Sequence, residues 1–206
     1  IKGVRENQIV GYGVVVGLPG TGDNSRSTQI TNQMLLRNLG TVIEQENYIQ
    51  KGASAAVIVT ATVPPFSKNG DKIDCTVSAI ADAKSLEGGV LVQTILKAPN
   101  GEAVAVAQGP LSVGGINKIA GGSSARTAIT TSGRIPGGAI IERDIYTEIG
   151  DEDSITLCLD KSDYTLVSRI ADTVSKVAPA HAIDGSSVRV TVPPKFLNDR
   201  VTFLSI

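Results

Sequence analysis

Residues able to titrate or coordinate are scarce in this chain: one His, two Cys and one Met among 206 residues. His181, the single imidazole, lies between Pro179 and the turn-forming Asp184-Gly185, so it reads as a solvated loop histidine. Sequence offers it no nucleophile, and one imidazole cannot build a zinc site without carboxylates. Cys75 and Cys158 lack CxxC spacing and read as two free thiols acting as small buried hydrophobes. Alternation puts Cys75 with Ile73 and Val77, and turns Cys158 away from Leu157 and Leu159. Asp151-Glu152-Asp153 could meet a divalent cation but lacks the alternating oxygen ligands of a calcium loop, so it reads as a solvated turn. Nothing singles out a carboxylate pair for glycan hydrolysis among the 20 acids. Gly11-x-Gly13-x-x-x-Gly17 misses dinucleotide spacing, and the Gly17 to Asp23 run lacks the Lys-Ser/Thr of a phosphate loop. The expectation is no catalytic residue, no cofactor and no metal.

Composition narrows the class further. Nineteen basic against 20 acidic side chains give a net charge of −1. That balance lacks the basic excess of a nucleic-acid binder. A 19% charged, 41% hydrophobic chain is not wholly disordered. No apolar run approaches the ~18 residues that would make it membrane-spanning. Aromatics are only 3% and Trp is absent, which leaves Val, Ile, Leu and Ala to fill the core. The chain starts at Ile1, as a processed or trimmed product would, and the apolar run from Val201 to Ile206 stops without a cap. Further residues are expected beyond it.

The elements that must position these side chains are mostly extended. Val14 to Val16 precede the turn chemistry of Pro19-Gly20-Thr21-Gly22. A helix is predicted from about Ser27 to Leu39, with Leu35, Leu39 and Val42 or Ile43 on one face and Gly40 placed to end it. Strands are predicted over Ala55 to Val63, Lys72 to Ile80, Gly89 to Leu96 and Ala103 to Val113. The Asn69-Gly70 and Asn100-Gly101 pairs between them signal antiparallel hairpins. Residues 114–138 are Gly-, Ser- and Thr-rich, with Lys118, Arg126 and Arg134 and no acid, and read as a cationic loop. Beyond Gly138 the pattern becomes strand–helix–strand–helix. Its strands are Ala139 to Ile145, Ser154 to Leu159 and Ser187 to Val192. A helix from Asp163 to Val177 has a Val167/Ile170/Ala171/Val174/Ala178 face, and a Pro194-led helix follows. The predicted class is therefore α+β: a mainly antiparallel sheet domain over 1–138 and a small α+β module over 139–206, truncated at its C-terminal end. The halves carry 12 basic and 9 acidic side chains against 7 and 11, net +3 and −4. Opposite signs would let copies attract head to tail, although weakly.

Several segments, in order, resemble the bacterial flagellar P-ring family. They are the run from Gly3-Val-Arg-Glu-Asn-Gln to Gly20-Thr-Gly-Asp23, Val-Thr-Ala-Thr-Val-Pro-Pro-Phe66, Asp82-Ala-Lys-Ser-Leu-Glu-Gly-Gly89 and Ala105-Val-Ala-Gln-Gly-Pro-Leu-Ser-Val-Gly-Gly115. Gly138-Ala-Ile-Ile-Glu-Arg143 and Val190-Thr-Val-Pro extend the likeness, which lacks the family's C-terminal part. It implies a periplasmic structural protein, not an enzyme, whose copies form a homo-oligomeric ring around the flagellar rod and act as a bushing for motility. Implied partners are neighbouring copies, the rod protein, the L-ring protein, peptidoglycan and an assembly chaperone. Lys84 in Ala-Lys-Ser-Leu matches a family lysine attributed to rod centring, and Lys51 lies near a second such position. Lys118, Arg126 and Arg134 join them as candidate rod-facing or ring contacts. Glu87 departs from the family, where Arg is frequent. The alternatives are a periplasmic peptidoglycan-acting enzyme and a strand–helix–strand–helix ring module of another envelope machine.

Overall fold

Alternating Val, Ile and Ala positions build most of the molecule. The computed structural model describes residues 1–24, 51–114, 129–147 and 149–206, in two units: Glu6–Ile145, and Ile1–Arg5 together with Tyr146–Ile206. The helix predicted over Ser27 to Leu39 lies outside the described residues.

The first unit is a closed antiparallel barrel. Its strands are β1 (Asn7–Val16), β2 (Ser54–Val63), β3 (Lys72–Ala79), β4 (Val90–Lys97), β5 (Ala103–Pro110) and β6 (Ser132–Ile141), ordered β1-β2-β3-β6-β5-β4. Period-two alternation decides which side chains enter. In β2, Val57, Val59, Ala61 and Val63 are buried while Ile58, Thr60 and Thr62 face out; in β3, Ile73, Cys75 and Val77 are buried. A barrel of so few strands has an interior only wide enough for side chains. Small aliphatic residues fill it, with Leu86, Leu91, Leu96 and Ile141 the largest fully buried ones here, and among the described residues no aromatic belongs to this core.

Closure occurs between β1 and β4. Their register shifts between Val10 and Val15. A Cβ on Gly11 would run into the carbonyl oxygen of Ile95 and stand 2.7 Å from the Leu96 side chain. Glycine lets the seam approach; any side chain would pry it open.

Strand β6 corrects the sequence reading. By composition residues 129–138 read as the tail of a 114–138 loop with a boundary after Gly138, yet Ser132–Ile141 is a barrel strand paired with β3 and β5. Pro136-Gly137-Gly138 is turn chemistry, but here it makes a bulge: Gly137 has φ 58° and the β3–β6 register shifts between Ile73 and Cys75. Asp74 bridges the irregularity, accepting from Gly137 N (2.8 Å) and Arg134 Nη2 (3.2 Å). The barrel thus runs on to Ile145, and the chain's first five residues cluster with the second unit. With that boundary the barrel segment carries 11 basic and 11 acidic side chains and the remainder 8 and 9, so the +3/−4 division disappears.

The second unit holds β7 (Ser154–Cys158), α1 (Tyr164–Val174), β8 (Ala180–Asp184), β9 (Ser187–Thr191), a 3-10 turn (Pro194–Phe196) and α2 (Arg200–Leu204). Its antiparallel sheet has the order β7-β9-β8, so a strand stands where the sequence suggested a loop. His181 accordingly lies exposed on β8, paired with Arg189. Asp163 caps α1 by accepting from Leu166 N at 2.9 Å. The helix buries Val167 and Ala171 as its spacing predicts, with Ile170 and Val174 half-buried around them. Phe196 and Phe203 stack at 5.5 Å. Arg200 holds the main-chain carbonyls of Ile149 and Glu152. Lys2 N donates to Thr156 O at 2.9 Å, which lays the N-terminal residues along β7.

The thiols part company. Cys75 is buried, and desolvation, aided by the Asp74 charge, pushes its pKa up to about 11; Cys158 is exposed, not buried as its reading had it. A thiol reagent at pH 8 should modify one cysteine per folded chain and both in denaturant; rapid native labelling of Cys75 would contradict its placement. Because the folded Cys75 pKa is raised, its protonated form belongs to the native state, so stability should decline as pH rises from about 9 toward 11. Gly11→Ala should lower the unfolding free energy by about 1–3 kcal/mol, measured as a reduced urea midpoint. An unchanged midpoint would show that the seam has room.

Candidate functional site

The chain segments that leave the barrel at the Val16, Ser54 and Ala79 ends form one strapped surface. Leu18 N donates to Ala53 O (3.1 Å), Gly22 N to Gly52 O (2.8 Å), Gly52 N to Asp23 O (3.0 Å) and Asp23 N to Ser54 O (2.8 Å). Asp23 is 3% exposed, and its Oδ2 accepts from Ala56 N at 2.7 Å. The Gly17–Asp23 run is therefore a strap bound to residues 52–56. Its N–H groups at Gly20, Gly22 and Asp23 are committed to carbonyls and make no phosphate cradle.

That strap carries Lys84 with it. Lys84 N donates to Thr21 O at 2.7 Å, Thr21 Oγ1 donates to Ser85 O at 3.0 Å, and Thr130 Oγ1 donates to Lys84 O at 3.3 Å. Leu86, fully buried, anchors the segment from below, and its N–H donates to Thr130 O at 2.7 Å. Both main-chain groups of Lys84 are thus fixed while its ammonium stays exposed. Lys51, also exposed, adjoins Gly52 on the other side of the strap. Through Thr21, Gly22 and Gly52 the fold brings these two lysines to one end of the barrel. Asp82 and Glu87 are exposed beside Lys84, so this end carries both signs of charge.

Arg134 does not join them. It projects from the β6 wall onto Asp74 at 3.2 Å, with its main chain bonded to Ser112. Both partners are more than half exposed, so the pair adds little stability but offsets the Arg134 charge. Lys118 and Arg126 lie outside the described residues. Sequence reasoning missed Asp23, whose burial no spacing signals: a Gly-Thr-Gly-Asp run looks like a solvated turn until the residues that cover it are known.

Two grooves bear on catalysis. One of about 880 Å³ crosses the outer wall, lined by Gln8, Thr60, Thr62, Lys72, Asp74 and Arg134 among others; Asp74 is its acidic residue, already bonded to Arg134 and Gly137. Another of about 570 Å³ carries Asp151 and Glu152, adjacent in the chain and exposed, next to Arg200. Neither presents two facing carboxylates across a cleft among the described residues. Among the described residues, no cluster of three or more His, Cys, Asp or Glu could hold a metal ion. No helix among them is long and apolar enough to cross a membrane.

Comparison with known proteins agrees with the sequence motifs. The family model described as flagellar P-ring protein matches residues 1–206. A flagellar P-ring protein of Idiomarina loihiensis is 43% identical over 210 residues, covering 100% of this chain and 57% of that protein. A flagellar P-ring protein 2 of Chromobacterium violaceum is 44% identical over 211 residues, with 100% of this chain and 58% of that protein covered. For a Salmonella choleraesuis flagellar P-ring protein the figures are 43% over 199 residues, 94% and 54%. This chain spans a little over half the length of these relatives. Identity at that level along the whole chain means that the chain belongs to the flagellar P-ring protein family.

Proposed function

We propose that the chain is a structural subunit of the periplasmic P ring, packed against identical neighbours around the flagellar rod and serving as a bushing at the peptidoglycan layer. The observation that carries this reading is the family match along the whole chain. The fold suits the role: a closed barrel filled with aliphatic side chains is stiff, and a bushing needs stiffness rather than titrating groups. The subunit works by fitting, with no bond made or broken. Its partners in this reading are its own copies, the rod protein, the L-ring protein, the cell wall and an assembly chaperone. The small α+β unit is a ring-contact module.

Lys84 and Lys51 are the rod-facing cations of the proposal. Exposed ammonium groups on a backbone fixed by Thr21 and Thr130 would repel a rod of like charge and attract an acidic one at long range, without the deep apolar contact that causes friction. Salt screens such a force beyond about 8–10 Å, so it centres without gripping. Arg134, Lys118 and Arg126 are secondary ring-contact candidates.

Charge reversal at an exposed site changes stability by less than about 0.5 kcal/mol in most folds, so the variant chain should assemble. Lys84→Glu combined with Lys51→Glu should slow swimming while isolated basal bodies still carry the ring. Unimpaired swimming with intact rings would remove the lysines from the mechanism. Absence of this chain from basal bodies of motile cells would overturn the ring reading itself.

A further inference from the structure

The sequence holds two Asn-Gly pairs, Asn69-Gly70 between β2 and β3 and Asn100-Gly101 between β4 and β5. An asparagine before glycine can lose its side-chain amide spontaneously, because without a Cβ in the way the glycine nitrogen reaches the carboxamide carbon. Both glycines take positive φ, 92° and 87°, and neither has an atom within 4 Å of where a Cβ would stand. Backbone shape and crowding therefore do not separate the two sites; their hydrogen bonds do. Gly70 N, the attacking atom at the first, donates to Ile141 O at 2.8 Å, and Ile141 N donates to Asp71 O at 2.9 Å. Ile141 is itself fully buried in the barrel core. Asn69 Nδ2 donates to Glu142 O and Asn69 N to Asp144 Oδ1, each at 2.8 Å. Freeing this site means parting the turn from residues 141–144.

Among the described residues, the bonds at Asn100-Gly101 stay within their own turn. Gly101 N donates to Ala98 O at 2.9 Å, Asn100 Oδ1 accepts from Glu102 N at 3.1 Å, and Asn100 Nδ2 donates to Glu102 Oε2 at 2.9 Å. Asn100, Gly101 and Glu102 are all exposed. A hairpin tip held by local bonds opens at a small fraction of the global unfolding free energy. The Glu102 N–H already points at the oxygen that becomes negative when the glycine nitrogen attacks, as an oxyanion donor does. The Glu102 carboxylate keeps the carboxamide in that orientation.

We propose that Asn100-Gly101 is a spontaneous modification site of the native protein, converting to aspartate and isoaspartate, while the fold protects Asn69-Gly70. Gly101 N gives its proton to hydroxide and bonds to Asn100 Cγ, which places the negative charge on Oδ1. The carbonyl then re-forms, the Cγ–Nδ2 bond breaks, and ammonia leaves with a proton taken from water. Water opens the resulting cyclic imide at its side-chain or main-chain carbonyl, so amide plus water becomes acid plus ammonia. The product adds a negative charge beside Glu102 and, as isoaspartate, an extra main-chain carbon in the turn. The inference is independent of the ring-subunit reading. The full-length native protein, incubated at pH 8 and mapped by peptide mass, should lose the Asn100 amide about tenfold or more faster than that of Asn69, because only the former needs no more than local opening. In urea the two rates should converge. Equal rates in the native protein, faster loss at Asn69, no loss at Asn100, or a native ratio that persists in urea would each overturn the assignment. Asp144→Ala, at an exposed position, removes one bond holding Asn69 and should speed loss there while leaving Asn100 unchanged. No acceleration at Asn69 would overturn the protective role given to the long-range bonds.

Discussion

Closure of a narrow antiparallel barrel is the constraint from which the rest of this structure follows. Six strands leave an interior only as wide as the side chains that fill it. Val15, Val57, Val59, Val77, Leu91, Leu96 and Ile141 occupy that space with almost no exposure. The scarcity of aromatic residues is then a consequence of geometry: a ring in this core would displace several neighbours in a lattice packed as densely as an organic crystal. The seam between β1 and β4 is the costliest place to intrude, because the main chain of β4 stands where a Cβ on Gly11 would go.

A rigid barrel makes its ends precise. Strap and turn residues at the Val16 and Ser54 end are tied to one another by main-chain hydrogen bonds and by the buried Asp23 carboxylate. Lys84 and Lys51 inherit that order in their backbones while their charges stay in water. At the opposite end, the 64–71 turn is stapled to residues 141–145 and holds Phe66 in a conformation that glycine would adopt more easily. Both ends show an aliphatic core used to fix the positions of groups that take no part in it.

Alternation made most strands legible. β2, β3, β4 and β5 fall where Val, Ile and Ala recur at every second position, and α1 falls where Val167, Ala171 and Ala178 recur at helical spacing. β6 failed for a physical reason. Its Pro136-Gly137-Gly138 serves a bulge inside a strand, and a bulge uses the same residues as a turn. The misplaced boundary carried the charge argument with it, since the +3/−4 contrast came from where the chain was divided. His181 and Cys158 were missed similarly: a five-residue edge strand of half-polar sequence has little periodic signal, and exposure depends on what else covers the sheet.

By itself the sequence determined the class of residues in the core, the hairpins, the amphipathic face of α1 and, through motifs spread along the chain, the family. Those features are local or written in residue identity, so they need no knowledge of neighbours. Only the tertiary structure decided that β6 enters the barrel between β3 and β5, that Ile1–Arg5 cluster with the distant Tyr146–Ile206 segment, and that Lys84 and Lys51 share one end. It alone set Asp23 beneath the strap and Phe66 on a strained turn. Each of these depends on pairings between residues far apart in the chain, where hydrogen bonding and burial choose among partners that local propensity leaves equivalent.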